Sequence, residues 1–274
     1  MKRLNRRTAA AIGSAAMLAI VLAIYIGGAM IPDSALQADF SQRGLAPSAT
    51  HLFGTDFLGR DMFARTVKGL SLSLAVGAAA SAMAAIIALA VGVAAAMGRS
   101  AVDHAANWFV DLFMSVPHTV LIILIAIALD RGAAGMMLGI ALTHWTGLAR
   151  VIRGEVLQIR AQQYITASRG FGKGSLWIAR RHILPHVAPQ FLIGLVLLFP
   201  HAIMHESGLT FLGFGLPPEQ PAIGIILSES MKYISSGMVW LAVFPGLSLA
   251  ALVLLIDRLG NTARRLFEPR EAQL

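Results

Sequence analysis

Two histidines four residues apart, His201 and His205, stand with Met204 and Glu206 in the apolar stretch PHAIMHES of this 274-residue chain. Residues i and i+4 share one face of a helix. Imidazoles at that spacing suit a borderline divalent cation such as nickel, with the thioether or the carboxylate close by. The same pair also reads as packing or lumen-lining histidines. His and Glu are costly in a bilayer, so the three ionisable groups must face the protein interior or a water-filled path. His144, in Thr143-His144-Trp145, is read as a helix-packing histidine.

Other chemistry is missing from the sequence. Gly170-Phe171-Gly172-Lys173-Gly174-Ser175 comes nearest to a phosphate-binding G-x-x-x-x-G-K-[ST] loop, but it lacks the spacing and a preceding strand. This chain is therefore not expected to hydrolyse ATP or to bind a cofactor. His205-Glu206 is followed by Ser207 and Gly208, which is not H-E-x-x-H, and there is no G-x-S-x-G elbow. The absence of cysteine excludes disulfides, thiolate metal sites and a Cys nucleophile. No residue is predicted to be catalytic, and the chain is not read as an enzyme.

The elements that position these residues follow from composition. A hydrophobic fraction of 57% against 13% charged, with mean hydropathy +0.71, marks an all-α integral membrane protein. The net charge of +8 sits at the ends of apolar spans and not on one continuous face, so it reports topology and not nucleic-acid binding. Six transmembrane helices are expected, at about 8–30, 70–98, 107–129, 133–149, 186–206 and 239–259. Lys2, Arg3, Arg6 and Arg7 before the first span could belong to a signal peptide. The apolar run from Thr8 to Ile31 exceeds a signal core of about 7 to 15 residues, so a retained span is expected. A cytoplasmic N-terminus leaves all but six of the 22 Lys and Arg residues inside. The chain divides into 1–31, the first span; 32–69, an external segment; 70–260, the membrane core; and 261–274, a cytoplasmic tail.

Details within the spans carry further expectations. In the external segment Asp56, Arg60, Asp61 and Arg65 are placed to pair around tight glycine turns. Gly92 and Ala96 would let the second span approach its neighbours closely. Pro117 predicts a kink, Asp111 a hydrated position near the cytoplasmic end, and Trp145 an interfacial anchor. The stretch QYITASRGFGKGSLWIARRHILP, residues 163–185, is too apolar for a solvated loop and too charged for a span. An amphipathic helix offered to a partner protein or to the lipid surface fits it. Gly170, Gly172 and Gly174 divide it into a short helix, a turn and a second helix that Pro185 ends.

That stretch resembles a known family. Thr166-Ala167-Ser168, three residues, Gly172 and then Ile183-Leu184-Pro185 resemble the EAA loop of permease subunits in bacterial binding-protein-dependent ATP-binding-cassette (ABC) importers. The resemblance implies a cytoplasmic coupling helix seated in a groove of the ATPase, with Thr166, Ala167, Ser168, Arg169 and Gly172 at the contact. Thr166 replaces the usual Glu and His182 a frequent Ile, so an ion pair from that Glu must be absent or replaced. Gly54-Thr55-Asp56 and Leu58-Gly59-Arg60-Asp61 resemble the GTDxLGRD signature of the branch that imports dipeptides, oligopeptides and nickel. The run from Glu206 through Gly215 resembles that branch's external re-entrant scoop loop, expected over about 207–237, with Glu206 capping it.

The resemblance implies a multi-pass inner-membrane permease. Its partners would be a second homologous permease, two ABC ATPase subunits that supply the ATP hydrolysis with ATP and Mg as their cofactors, an external binding protein and membrane lipid. Thr-His-Trp before the coupling loop and His-x-x-x-His before the scoop are closer to nickel permeases, so nickel, free or chelated, leads, with His201 and His205 as metal ligands. His201, His205 and Glu206 would then line the translocation pathway. Dipeptides or oligopeptides are the alternative substrate. An ion channel or proton-coupled carrier, with the same three residues as a relay, is the rival of another class.

Overall fold

Long apolar runs without internal turn signals become long helices, because a backbone in lipid must satisfy its hydrogen bonds within the segment. A computed structural model describes residues 6–267; Lys2, Arg3 and the tail after Phe267 lie outside the described residues. Among the described residues the secondary structure is helical apart from one isolated bridge, Thr55 with Asp61. Helix α1, Arg6–Met30, packs on α2 and α10 and leaves most of its surface open, as a lipid-facing helix does.

Helix α2, Met62–Met97, is the central element and packs on α1, α3, α5 and α8. It starts eight residues before the expected boundary because the Asp61 carboxylate accepts the Ala64 N–H and caps it. Its Ala and Gly content lets neighbours close in: a Cβ on Gly92 would lie 2.8 Å from the Ala149 carbonyl oxygen of α5. The small-residue face expected from Gly92 and Ala96 is thus a backbone-to-backbone contact.

Helices α3, Ser100–Ser115, and α4, His118–Ala128, meet at 95° across Val116 and Pro117. Proline cannot continue the helix, so the expected kink is a full break. Asp130 and Arg131, both at φ of 59°, and Gly132 reverse the chain into α5, Gly132–Arg160. Then come α6, Gln163–Gly170, and α7, Ser175–Ile178, which passes through a π turn, Ala179–Ile183, into α8, Leu184–Phe211. Pro185 does not end a helix, contrary to expectation. It sits in the first turn of α8 directly after the π turn, whose wider ring accommodates the missing N–H. A short helix, α9, Ile223–Met231, and α10, Trp240–Phe267, complete the order.

Four segments are long and apolar enough to cross a membrane, Ala10–Met30, Met62–Met97, Ser175–Phe211 and Trp240–Arg265, and the α3–α4 pair makes a fifth. The sixth expected crossing, 133–149, is the first half of α5. Its glycines, Thr143, His144 and Trp145 keep that stretch less apolar than the other spans, and Arg150, Arg153, Glu155 and Arg160 follow it. The count of six is therefore not carried by apolarity alone.

The bundle has two distinct ends. One gathers residues 31–61, the turn before α5 and the segment from α8 to α10, where the Gly132 N–H reaches the Gly215 carbonyl. The other gathers the α2–α3 turn and α6–α7, where Arg160 donates to the Ala96 carbonyl. Trp145 is not an interfacial anchor. It is 5% exposed, edge-on to Phe113 at 5.7 Å, because the folded-back α3 covers it. Asp111, expected to be merely hydrated, pairs with Arg150 of α5, and Asp103 binds Arg153 through two contacts of 2.6 Å.

Candidate functional site

At the first end the glycine-rich motif is a clamp. Asp56, 2% exposed, accepts from the Leu58 and Arg60 N–H groups at Oδ1 and from Arg60 Nε (2.6 Å) and Arg65 Nη1 (2.7 Å) at Oδ2. Both guanidinium groups continue to Glu229 Oε2 of α9, at 3.1 and 2.8 Å. The expected pairing of Asp56 with the two arginines is thus present, while Asp61 caps α2 and pairs with His51 at 2.8 Å. Gly59, at φ +79°, admits no side chain: its Cβ would fall 1.7 Å from the Asp39 carbonyl oxygen. Glu229 was invisible in the sequence because it belongs to no local motif and meets Arg65 across 164 positions.

The clamp holds α9 over the end of α8. Helix α8 continues through Ser207 to Phe211, so the segment 207–237 expected to form the scoop opens with the last turn of α8 and contains α9. Glu206, fully buried, accepts from Ser207 Oγ and Thr210 Oγ1, each at 3.1 Å, and Thr210 Oγ1 in turn accepts the Leu216 N–H. That chain of hydrogen bonds ties the end of α8 to the turn at Leu216. Gly224 lets α9 close onto α8, since a Cβ there would lie 2.4 Å from the Ser207 carbonyl oxygen.

This arrangement separates the three ionisable residues of α8. Glu206 turns to Thr210, His201 is exposed, and His205 is half-buried with its ring 4.8 Å from that of His144. His144 in turn lies 5.5 Å from His118, at the start of α4. The i, i+4 pairing of His201 with His205 is therefore not the main ring contact. Among the described residues no three or more His, Asp or Glu side chains are grouped to hold a metal ion. His118 had no sequence signal beyond its place after Pro117 at the head of an apolar run.

At the opposite end, α6 presents Thr166, Ala167, Arg169 and Gly170 outward, with Ser168 half-buried. Ile165, Ile178, Ile183 and Val187 are buried against Val156 and Ile159 of α5, which anchors the loop to the bundle. Gly172 turns the chain at φ +76°, as its place between two short helices requires. Phe171 is 83% and Leu176 67% exposed beside Trp177, whose ring lies 5.2 Å from Lys173 Nζ. An apolar patch rimmed by Arg169, Lys173 and Arg180 is a surface suited to a protein partner.

Comparison with known proteins agrees with this geometry. Residues 86–272 match the family described as "Binding-protein-dependent transport system inner membrane component". The dipeptide transport system permease protein DppC of Bacillus subtilis strain 168 is 30% identical over 98% of this chain and 84% of its own. A putative peptide permease of Brucella suis biovar 1 is 32% identical, over 98% and 89%. In fold, the chain is similar to one from the methionine ABC transporter MetNI in an inward-facing conformation, with a TM-score of 0.61 at 20% identity, covering 76% of this chain and 98% of that one.

Proposed function

This chain belongs to the family of inner membrane components of binding-protein-dependent transport systems, and from that premise we propose that it carries short peptides. It is a permease subunit of an ABC importer and a multi-pass protein of the inner membrane. The observation that carries the peptide reading is the likeness over 98% of the chain to proteins named as dipeptide and peptide permeases. Nickel, which the His-x-x-x-His spacing favoured, is set second, because the relatives are named for dipeptides and peptides.

The proposed mechanism follows from the two ends of the bundle. ATPase subunits in the cytoplasm dock on α6 and the exposed Phe171, Leu176 and Trp177, with Thr166, Ala167, Ser168, Arg169 and Gly172 at the contact. Their closure on ATP pushes α6. The buried Ile165, Ile178 and Ile183 pass that displacement to α5 and α8, because a close-packed core moves as a unit. The clamp from Asp56 to Glu229 keeps the external end of α2 and α9 together while the opposite end moves. A second, similar permease covers the exposed face of α8 that bears His201 and Met204, and the peptide passes between the two.

The test is transport by the whole importer, assembled in proteoliposomes with its partner permease, ATPases and binding protein. ATP-dependent uptake of labelled dipeptides or tripeptides is expected, with nickel at background. ATP-dependent nickel uptake without peptide uptake would overturn the substrate, and uptake that ignores ATP would favour a channel or carrier. Topology gives a second check. Reporters fused after Gly44 and after Lys173 should lie on opposite sides of the membrane, outside and inside, since basic residues concentrate at the α6–α7 end. Equal signals would sink this orientation.

A further inference from the structure

We infer that His118, His144 and His205 form a hydrogen-bonding station that takes backbone N–H groups of a peptide in transit; the inference rests on the peptide reading above. The three rings come from α4, α5 and α8 and stand in a row, 5.5 and 4.8 Å between successive centroids. His144 lies twelve residues into α5 and His205 six residues before the end of α8. At 1.5 Å per residue this is about 18 and about 9 Å along their helices. Imidazoles on helices long and apolar enough to cross a membrane, as those of His118 and His205 are, are functional until shown otherwise, because lipid offers them no partner.

The protons can be placed. His144 Nδ1 is 3.1 Å from the Ile140 carbonyl oxygen and 2.9 Å from Thr143 Oγ1. A carbonyl only accepts, so Nδ1 carries the hydrogen, and Thr143 Oγ1, which donates to the Gly139 carbonyl, accepts from the same N–H. The proton on Nδ1 leaves Nε2 of the neutral ring as a bare acceptor. His118 Nδ1 is buried, with no hydrogen-bond partner among the described residues. An unmet polar atom costs about 1–3 kcal/mol when buried, and unspent ring nitrogens on adjacent helices mark a place where a ligand supplies the missing bonds.

The surroundings narrow that ligand. Glu206, the carboxylate next in sequence to His205, is committed to Thr210 and Ser207, so no acid is bonded to these rings. The described side chains form no three-ligand group for a cation. What remains is a neutral donor for the bare Nε2. The backbone N–H is the donor that all peptides share, whatever their side chains. The row reaches the open face of α8 beside the exposed His201 and Met204, where a passing chain meets it. Each bond is worth about 0.5–1.5 kcal/mol net, enough to ease an amide past and too little to trap it.

The test uses the complete importer in proteoliposomes and two probes, a tripeptide and the same tripeptide with its backbone amides N-methylated. Uptake of each is normalised to permease amount. The binding protein also discriminates between them, so the reading is the change in their uptake ratio when only the permease is altered. His144→Phe keeps a ring and removes the acceptor. It should lower the preference for the unmethylated peptide by about two- to tenfold, the equivalent of one net hydrogen bond. His118→Phe should act in the same direction, and His144→Gln, whose amide oxygen can accept, should keep most of the preference. A wild-type ratio in both Phe variants at normal abundance overturns the inference alone. Nickel or zinc binding by the purified complex that disappears in His144→Phe also overturns it, in favour of a metal site. Failure of the wild-type importer to take up either peptide removes the peptide reading and the station with it.

Discussion

Asp56→Ala is expected to destabilise the permease by about 3–5 kcal/mol, the cost of stripping one partner from a buried charge pair. The carboxylate is 2% exposed and satisfies Arg65, itself almost fully buried, together with Arg60 and two backbone N–H groups. Without it, two guanidinium groups share only Glu229 of α9. The readout is thermal unfolding of the purified complex in detergent and permease abundance in the membrane, both of which should fall sharply. Replacing the charge as well, in Asp56→Ala with Arg65→Met, should recover part of the loss, because no buried cation is then left unpaired. High salt should not mimic the single substitution, since a buried pair is poorly screened. An Asp56→Ala permease as stable as the wild type would mean that the motif does not hold α9 in place.

Gly172→Val should leave abundance intact and reduce peptide-stimulated ATP hydrolysis and transport by about tenfold, from a strain of about 1–2 kcal/mol in the left-handed region. Nothing lies within 4 Å of the position a Cβ would take, so the cost comes from the backbone at φ +76° and not from a clash. A β-branched residue escapes that strain by changing φ, which re-aims α6 relative to α7 and moves Arg169 and Phe171 off their ATPase contact. Gly172→Asn, tolerated better in the left-handed region, should be milder. Fully stimulated ATP hydrolysis in the Val variant would remove the coupling role assigned to this turn.

Sequence alone was sufficient wherever the determinant was local. Hydropathy marked the long apolar helices, Pro117 the break, Gly172 the turn, and the spacing around Asp56 the pairing with Arg60 and Arg65, because caps, kinks and turns are set by residues a few positions apart. The same spacing, with Thr166-Ala167-Ser168 and Gly172, was enough to place the chain in its family. Tertiary structure decided what depends on how each helix is turned about its axis and on which neighbour it meets. Helical period put His201 and His205 on one face, but the rotation of α8 against α5 gave His205 to His144 and left His201 exposed. The fold-back of α3 buried Trp145, which by composition belonged at the interface. Glu206 went to Thr210, and Glu229 to arginines more than 160 positions away. A one-dimensional pattern specifies the periodicity and ends of a helix. Its azimuth comes from non-local packing, here from glycines such as Gly92 and Gly224 that let particular backbones approach, and that packing set His205 in a row with His144 and His118 that no spacing announced.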